Sequence, residues 1–164
     1  MSFRLVSFGG VAISSPAFVS MYASGTIHPG GVVSLLRGAD LAQGFVIPAT
    51  SGSTQTQIFG VALDYAQGAS DVLVNVIPFA PGQIWEADCI NSVTTIQVGK
   101  KFSLSTGTTP DRSKLINNNS YDQSGMTGIF LCYNVTSAST GSGKIIGEFV
   151  RTPLSLGLNS TTFN

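Results

Sequence analysis

The chain has 164 residues, with eight basic and eight acidic side chains and a formal net charge of zero. Charged residues make up 10% of it, against about 25% in an ordinary soluble protein, so the repulsion that keeps protein surfaces apart is largely missing. This balance excludes a nucleic-acid binder working through clustered Lys and Arg. No apolar run reaches the ~18 residues of a helical membrane span, which leaves apolar and neutral polar surface that other protein covers.

In chain order, residues 1–27 carry one charge, Arg4, and set Phe3, Leu5, Phe8, Phe18 and Tyr22 in a background of Ser, Gly and Ala. Disordered arms are normally charged and poor in apolar residues, and this segment is the reverse. It reads either as the first strands of the β domain or as an extended arm that packs on a neighbouring subunit. Gly9-Gly10 interrupts any apolar core of a signal peptide, so none is expected. Residues 26–31 are a turn, 32–36 a short strand, 37–40 a turn, and 45–48 another short strand. A polar loop at 51–55 leads into the strongest β signal of the chain, residues 57–89.

That stretch holds three β-favouring runs, at 58–63, 72–77 and 83–89, broken by Gln67-Gly68-Ala69-Ser70 and Pro81-Gly82. Hairpin-type breaks between such runs predict an antiparallel three-stranded meander. Side chains alternate across a strand, so Phe59, Val61 and Leu63 share a face, as do Val72, Val74 and Val76. In the third run Trp85, Ala87 and Cys89 oppose Ile84, Glu86 and Asp88. Strands at 93–98 and 101–105, joined around Gly99, follow. Residues 106–125 have the Gly, Pro, Asn, Asp and Ser content of a long exposed loop. Two further strands, 127–134 and 144–151, flank a flexible stretch at 136–143. The tail, 152–164, has no charge and alternates Leu154, Leu156 and Leu158 with small residues before Phe163.

No run shows the 3.6-residue periodicity of a helix. About ten short strands at 8–12-residue spacing predict an all-β fold, a single antiparallel β-barrel or sandwich. The domain plan is an N-terminal arm at 1–22, the β domain at 23–151 and a C-terminal tail at 152–164.

Chemistry is sparse. His28 is the sole histidine, in a Thr-Ile-His-Pro-Gly turn, and with two separated cysteines it makes no zinc or haem constellation. No G-x-S-x-G elbow accompanies it. Gly141-Ser142-Gly143-Lys144 is a fragment of a phosphate loop without its upstream glycine. Glu86 and Asp88 share a strand face; paired carboxylates can hydrolyse glycosides given a pocket and a raised pKa, but an edge paired with Lys100, Lys101 or Lys144 is the plainer reading. Cys89 and Cys132 read as buried thiols. No catalytic, cofactor-binding or metal-ligating residue is assigned, and an enzyme is not expected.

Ile58-Phe59-Gly60-Val61-Ala62-Leu63 and Pro81-Gly82-Gln83-Ile84-Trp85-Glu86-Ala87-Asp88 resemble elements of the small decoration (cement) proteins of tailed-bacteriophage heads. Val98-Gly99-Lys100-Lys101-Phe102-Ser103-Leu104 and Lys144-Ile145-Ile146-Gly147-Glu148-Phe149-Val150-Arg151 follow in the same order, so the resemblance spans roughly residues 25–151. It implies a compact β domain, often a homotrimer, that binds the outside of a capsid through an extended terminal segment and has no catalytic residues. The expected partners are the major capsid protein and copies of the chain itself, with no nucleic acid, membrane, small-molecule substrate or cofactor. The expected location is the virion surface after synthesis in the host cytoplasm. The residues assigned to partner contact are Phe3, Leu5, Phe8, Phe18, Tyr22, Leu154, Leu156, Leu158 and Phe163. The alternatives are another phage head or tail component and a carbohydrate- or ligand-binding β module.

Overall fold

A computed structural model describes residues 3–36, 45–67, 72–105, 115–116, 127–137 and 143–150. The fold is all-β. The strands are β1 (Phe3–Phe8), β2 (Val11–Ala12), β3 (Val19–Ala23), β4 (Val32–Leu35), β5 (Phe45–Pro48), β6 (Ile58–Ala62), β7 (Leu73–Pro78), β8 (Gln83–Cys89), β9 (Lys101–Phe102), β10 (Leu115–Ile116), β11 (Phe130–Ser137) and β12 (Lys144–Phe149). They make two bodies: a closed barrel in the order β3-β5-β4-β6-β7, and an open sheet in the order β2-β1-β8-β12-β11-β9. In the sheet β10 runs parallel to β8 at Asp88 and Cys89, beyond the part of β8 that β1 pairs.

The barrel strands are short; β4 and β6 are covered on both sides and rich in β-branched residues, while β3 leaves Val19 and Tyr22 exposed. Adjacent residues of β4, β6 and β7 serve different cores. Val33, Ala62 and Val76 fill the barrel with Ala23, Ile27, Val46, Ala66 and Val74. Val32, Val61 and Ile77 face the other way and pack against the sheet. In β6 this parity is reset by a bulge: Val33 pairs with Gly60 but Ser34 with Ile58, leaving Phe59 as the extra residue. Ile58 and Val61, three apart, therefore both reach the sheet-side core, while Phe59 joins the barrel cluster. The expectation that Phe59, Val61 and Leu63 share a face fails for that reason. Gly60 is required at this crossing, since a Cβ there would strike the Ile77 carbonyl.

The sheet-side core is aromatic. Phe149 lies at its centre, stacked on Phe79 with ring centroids 4.0 Å apart. Trp85 meets it edge-on at 5.8 Å, and Phe3 and Phe130 each lie at 5.1 Å. Trp85, Ala87 and Cys89 all face this core, as their alternation predicts. The Trp85 Nε1–H has no hydrogen-bond partner among the described residues.

Several expectations are corrected. The meander stops after two strands: β6 and β7 pair, but β7's other edge is taken by β3, so β8 crosses to the second sheet and pairs with β1 and β12. The run at 93–98 is no strand; Thr95–Gln97 is a 3-10 turn, with the Thr94 N–H donating to Gln97 Oε1 at 2.6 Å. A local side-chain bond of this kind competes with a sheet ladder. Within the expected loop at 106–125, Leu115–Ile116 forms β10; the rest of that loop lies outside the described residues. The expected arm at 1–22 contributes β1 and β2 to the sheet and the start of β3 to the barrel. Its β1 pairs with β8 from Phe3↔Ala87 to Phe8↔Gln83, because its apolar alternation matches the inward face of β8.

Candidate functional site

Titratable groups are the places where chemistry would sit. Glu86 and Asp88 project from the outer face of β8, where cross-strand neighbours bring them cations. Arg4 reaches Glu86 Oε1 at 3.2 Å, and Lys144 Nζ lies 3.6 Å from Glu86 and 3.3 Å from Asp88. The register sets this up, placing Arg4 opposite Glu86 and Lys144 opposite Asp88. The Lys144 ammonium is held above its ordinary pKa, mainly by Asp88 and then by Glu86. The carboxylates thus form an ion lattice on an open sheet face, the Lys144 pairing being among those expected.

His28 is half-buried with its ring edge-on to Tyr65 at 5.3 Å. Among the described residues no three His, Cys, Asp or Glu side chains come together as a metal site. Cys89 and Cys132 are free and buried. Burial is the main cause that pushes Cys89 up to about 12 and Cys132 to about 11. A thiol so far from its thiolate is a weak nucleophile at neutral pH. Gly143, from the phosphate-loop fragment, packs so tightly on Val93 that a Cβ would collide with it. That glycine serves packing.

Apolar surface is the other possibility, and it is concentrated. At one end of the sheet the β1–β2 hairpin turns through Gly9 (φ 58°) and Gly10 (φ 82°), both in the left-handed region that favours glycine. The turn presents Phe8 and Val11, which are 47% and 70% exposed. The Gly9 N–H donates to the Gly82 carbonyl at 3.1 Å, joining this tip to the β7–β8 turn. Beside that turn lies a crevice of about 390 Å³, lined by Phe79, Ala80, Pro81, Gly82, Glu148, Phe149 and Val150. Gly147 is in register with Trp85, so β12 runs toward this same end. A second, largely apolar crevice of about 460 Å³ separates β1 from the barrel, between Phe3–Val6 on one side and Val61–Leu63 with Ile77 on the other.

The residues assigned to partner contact divide accordingly. Phe3 is buried at 2% exposure and Leu5 packs against the same core, so Phe3 is a core residue, a correction that follows from β1 being a sheet strand. Phe8 and Phe18 are exposed. Tyr22 is exposed on the barrel, opposite Leu73 in register and 5.5 Å from the Phe45 ring. Leu154, Leu156, Leu158 and Phe163 lie outside the described residues. The sequence reading missed Val11 and Leu73, which are both more exposed than Phe8. A valine directly after a Gly-Gly turn was the available signal for the first.

No family model matches the chain, and no curated protein matches it. Among solved structures it is similar to the crystal structure of the head fiber gp8.5 N base in bacteriophage phi29. The identity is 12% and the TM-score 0.48, over 83% of this chain and 97% of that one.

Proposed function

We propose that this chain is a non-enzymatic structural protein of a phage particle, one that binds the outer surface of the head and staples neighbouring capsomers. Its partners are the major capsid protein and further copies of itself, in homotrimers. The observation that carries the reading is the distribution of surface. Ion pairs are spent on the outer face of the sheet, around Glu86, while Phe8 and Val11 at its end and Tyr22 and Leu73 on the barrel are left uncovered. Covering each large apolar side chain contributes about 1.5–3 kcal/mol before the costs of association. Many copies on a repeating shell make a modest contact avid. The resemblance of residues 58–63 and 81–88 to elements of cement proteins supports the same reading.

The test is incorporation into particles. Deleting the first strand would remove Phe3 from the core, so the cleaner variant is Phe8→Ser with Val11→Ser, which alters only exposed side chains. Co-sedimentation with empty capsids is expected to fall sharply while circular dichroism stays unchanged. Full occupancy by the folded double variant would overturn the role of this surface, and glycan binding without capsid binding would favour the β-module alternative.

A further inference from the structure

We propose that the outer edge of β1, with the crevice of about 460 Å³ beside it, is a docking groove for one extended peptide strand of another protein, apolar at alternate positions. β8 pairs with one edge of β1 from Phe3 to Phe8. On the other edge β2 pairs with Ser7 and Phe8 alone, and the last bond of that ladder, from the Ile13 N–H to the Val6 carbonyl, is long at 3.4 Å. Beyond it the chain bends away through Ser14 and Ser15 to Pro16, which has no N–H with which to extend a ladder. Among the described residues, no strand pairs with Phe3, Arg4 or Leu5 on this side.

The crevice follows that open edge. Successive side chains of a strand point to opposite faces, so a cavity touching Phe3, Arg4, Leu5 and Val6 in unbroken succession borders the edge of β1 and not one face of it. Val61, Leu63 and Ile77 of the barrel form the opposite wall, and Arg4 is the one ionisable residue of the lining. These features select the occupant. Free N–H and C=O groups at strand spacing are matched by another strand, whereas a small apolar ligand would leave them unmet. The edge is recessed beside the barrel, so the β1 edges of two folded copies cannot meet; a lone extended segment can enter. Residues 3–6 run for roughly 13 Å, room for about four residues of the incoming strand. The apolar wall takes the side chains of its alternate positions, and main-chain bonds to β1 hold its backbone.

Three capped synthetic heptapeptides, titrated into the full chain, test this. Each has Glu at both ends, Thr at the third and fifth positions, and Val, Leu or Phe at the second, fourth and sixth. Saturable binding of at least one is expected, with slowed amide hydrogen exchange within residues 3–6. N-methylation of alternate amides along one edge of that peptide is expected to weaken binding by about tenfold or more, and along the other edge far less. Equal effects from the two edges, or protection only outside residues 3–6, would mean apolar clinging without strand pairing and overturns the proposal. Failure of all three peptides, as when a segment of this chain already fills the groove, overturns it as well. Leu63→Glu with Ser14→Trp alters two exposed side chains of the lining and is expected to abolish binding while circular dichroism stays unchanged. Undiminished binding by that folded variant sinks the groove; should the variant not fold, the methylated peptides decide. All of these measurements are made without capsids, so a failure to bind particles would count against the assembly reading and leave the groove standing.

Discussion

The barrel and the open sheet solve the burial problem with different side chains. The buried residues of the barrel interior are Ala23, Ile27, Val33, Val46, Ala62, Ala66, Val74 and Val76, none of them aromatic, and the one ring packed against them, Phe59, is only partly buried. The core under the sheet holds Phe3, Phe79, Trp85, Phe102, Phe130 and Phe149. Closing only five strands leaves a lumen too narrow for rings, because barrel diameter grows with strand number. An open sheet laid over the barrel leaves a deeper layer, which rings fill. The barrel has no edges to protect, whereas the sheet keeps its outer face wet through the Arg4, Glu86, Lys144 and Asp88 lattice.

If that contrast is right, truncation should hurt the sheet most. Phe149→Ala removes the ring around which four others pack, and a loss of about 3–5 kcal/mol is expected, read from the urea midpoint. Enlargement should instead hurt the barrel: Val76→Phe has no room inside, and overpacking is expected to cost about 1–3 kcal/mol. A barrel variant as stable as the parent would show that the lumen is wider than five strands allow. The buried thiols come next. Both have folded pKa values raised above the ordinary 9.0, Cys89 to about 12 and Cys132 to about 11. Their contribution is therefore complete below pH 9 and lost as pH rises through that window. Thermal scans from pH 8 to 11 should show a falling Tm that Cys89→Ala flattens, and a thiol reagent at pH 8 should react only after unfolding. The smallest effect is expected from Glu86→Gln, since Arg4 and Lys144 are well exposed; a change under about 1 kcal/mol, shrinking with added salt, is the prediction.

What the sequence told about this molecule was mostly local. The alternation Trp85, Ala87, Cys89 against Glu86 and Asp88 read correctly because one face of β8 is dry and the other wet. The partnership of Lys144 with that carboxylate pair was among the options weighed. Three things needed the whole fold. The barrel closes β7 on β3, pairing Val19 with Val76 and Tyr22 with Leu73, a contact so distant in sequence that no local pattern flags it. The bulge at Phe59 flips the parity of β6 without any glycine or proline at the flipped position. The first strand was ambiguous because low charge suits a buried sheet strand as well as an arm; only the register of Phe3 with Ala87 decides it. The exposed surface was half legible: Phe8 and Phe18 stood out as aromatics, Val11 was flagged only by the Gly-Gly turn before it, and Leu73 had ordinary strand chemistry that gave no sign of facing water.

The back-to-back use of neighbouring residues has one more result. Since Val32 and Val33, Val61 and Ala62, and Val76 and Ile77 each divide their side chains between the two hydrophobic layers, neither layer can melt while the other stays intact. Denaturation should be a single all-or-none event, with calorimetric and van't Hoff enthalpies in agreement, and a load applied to either half is shared by the whole.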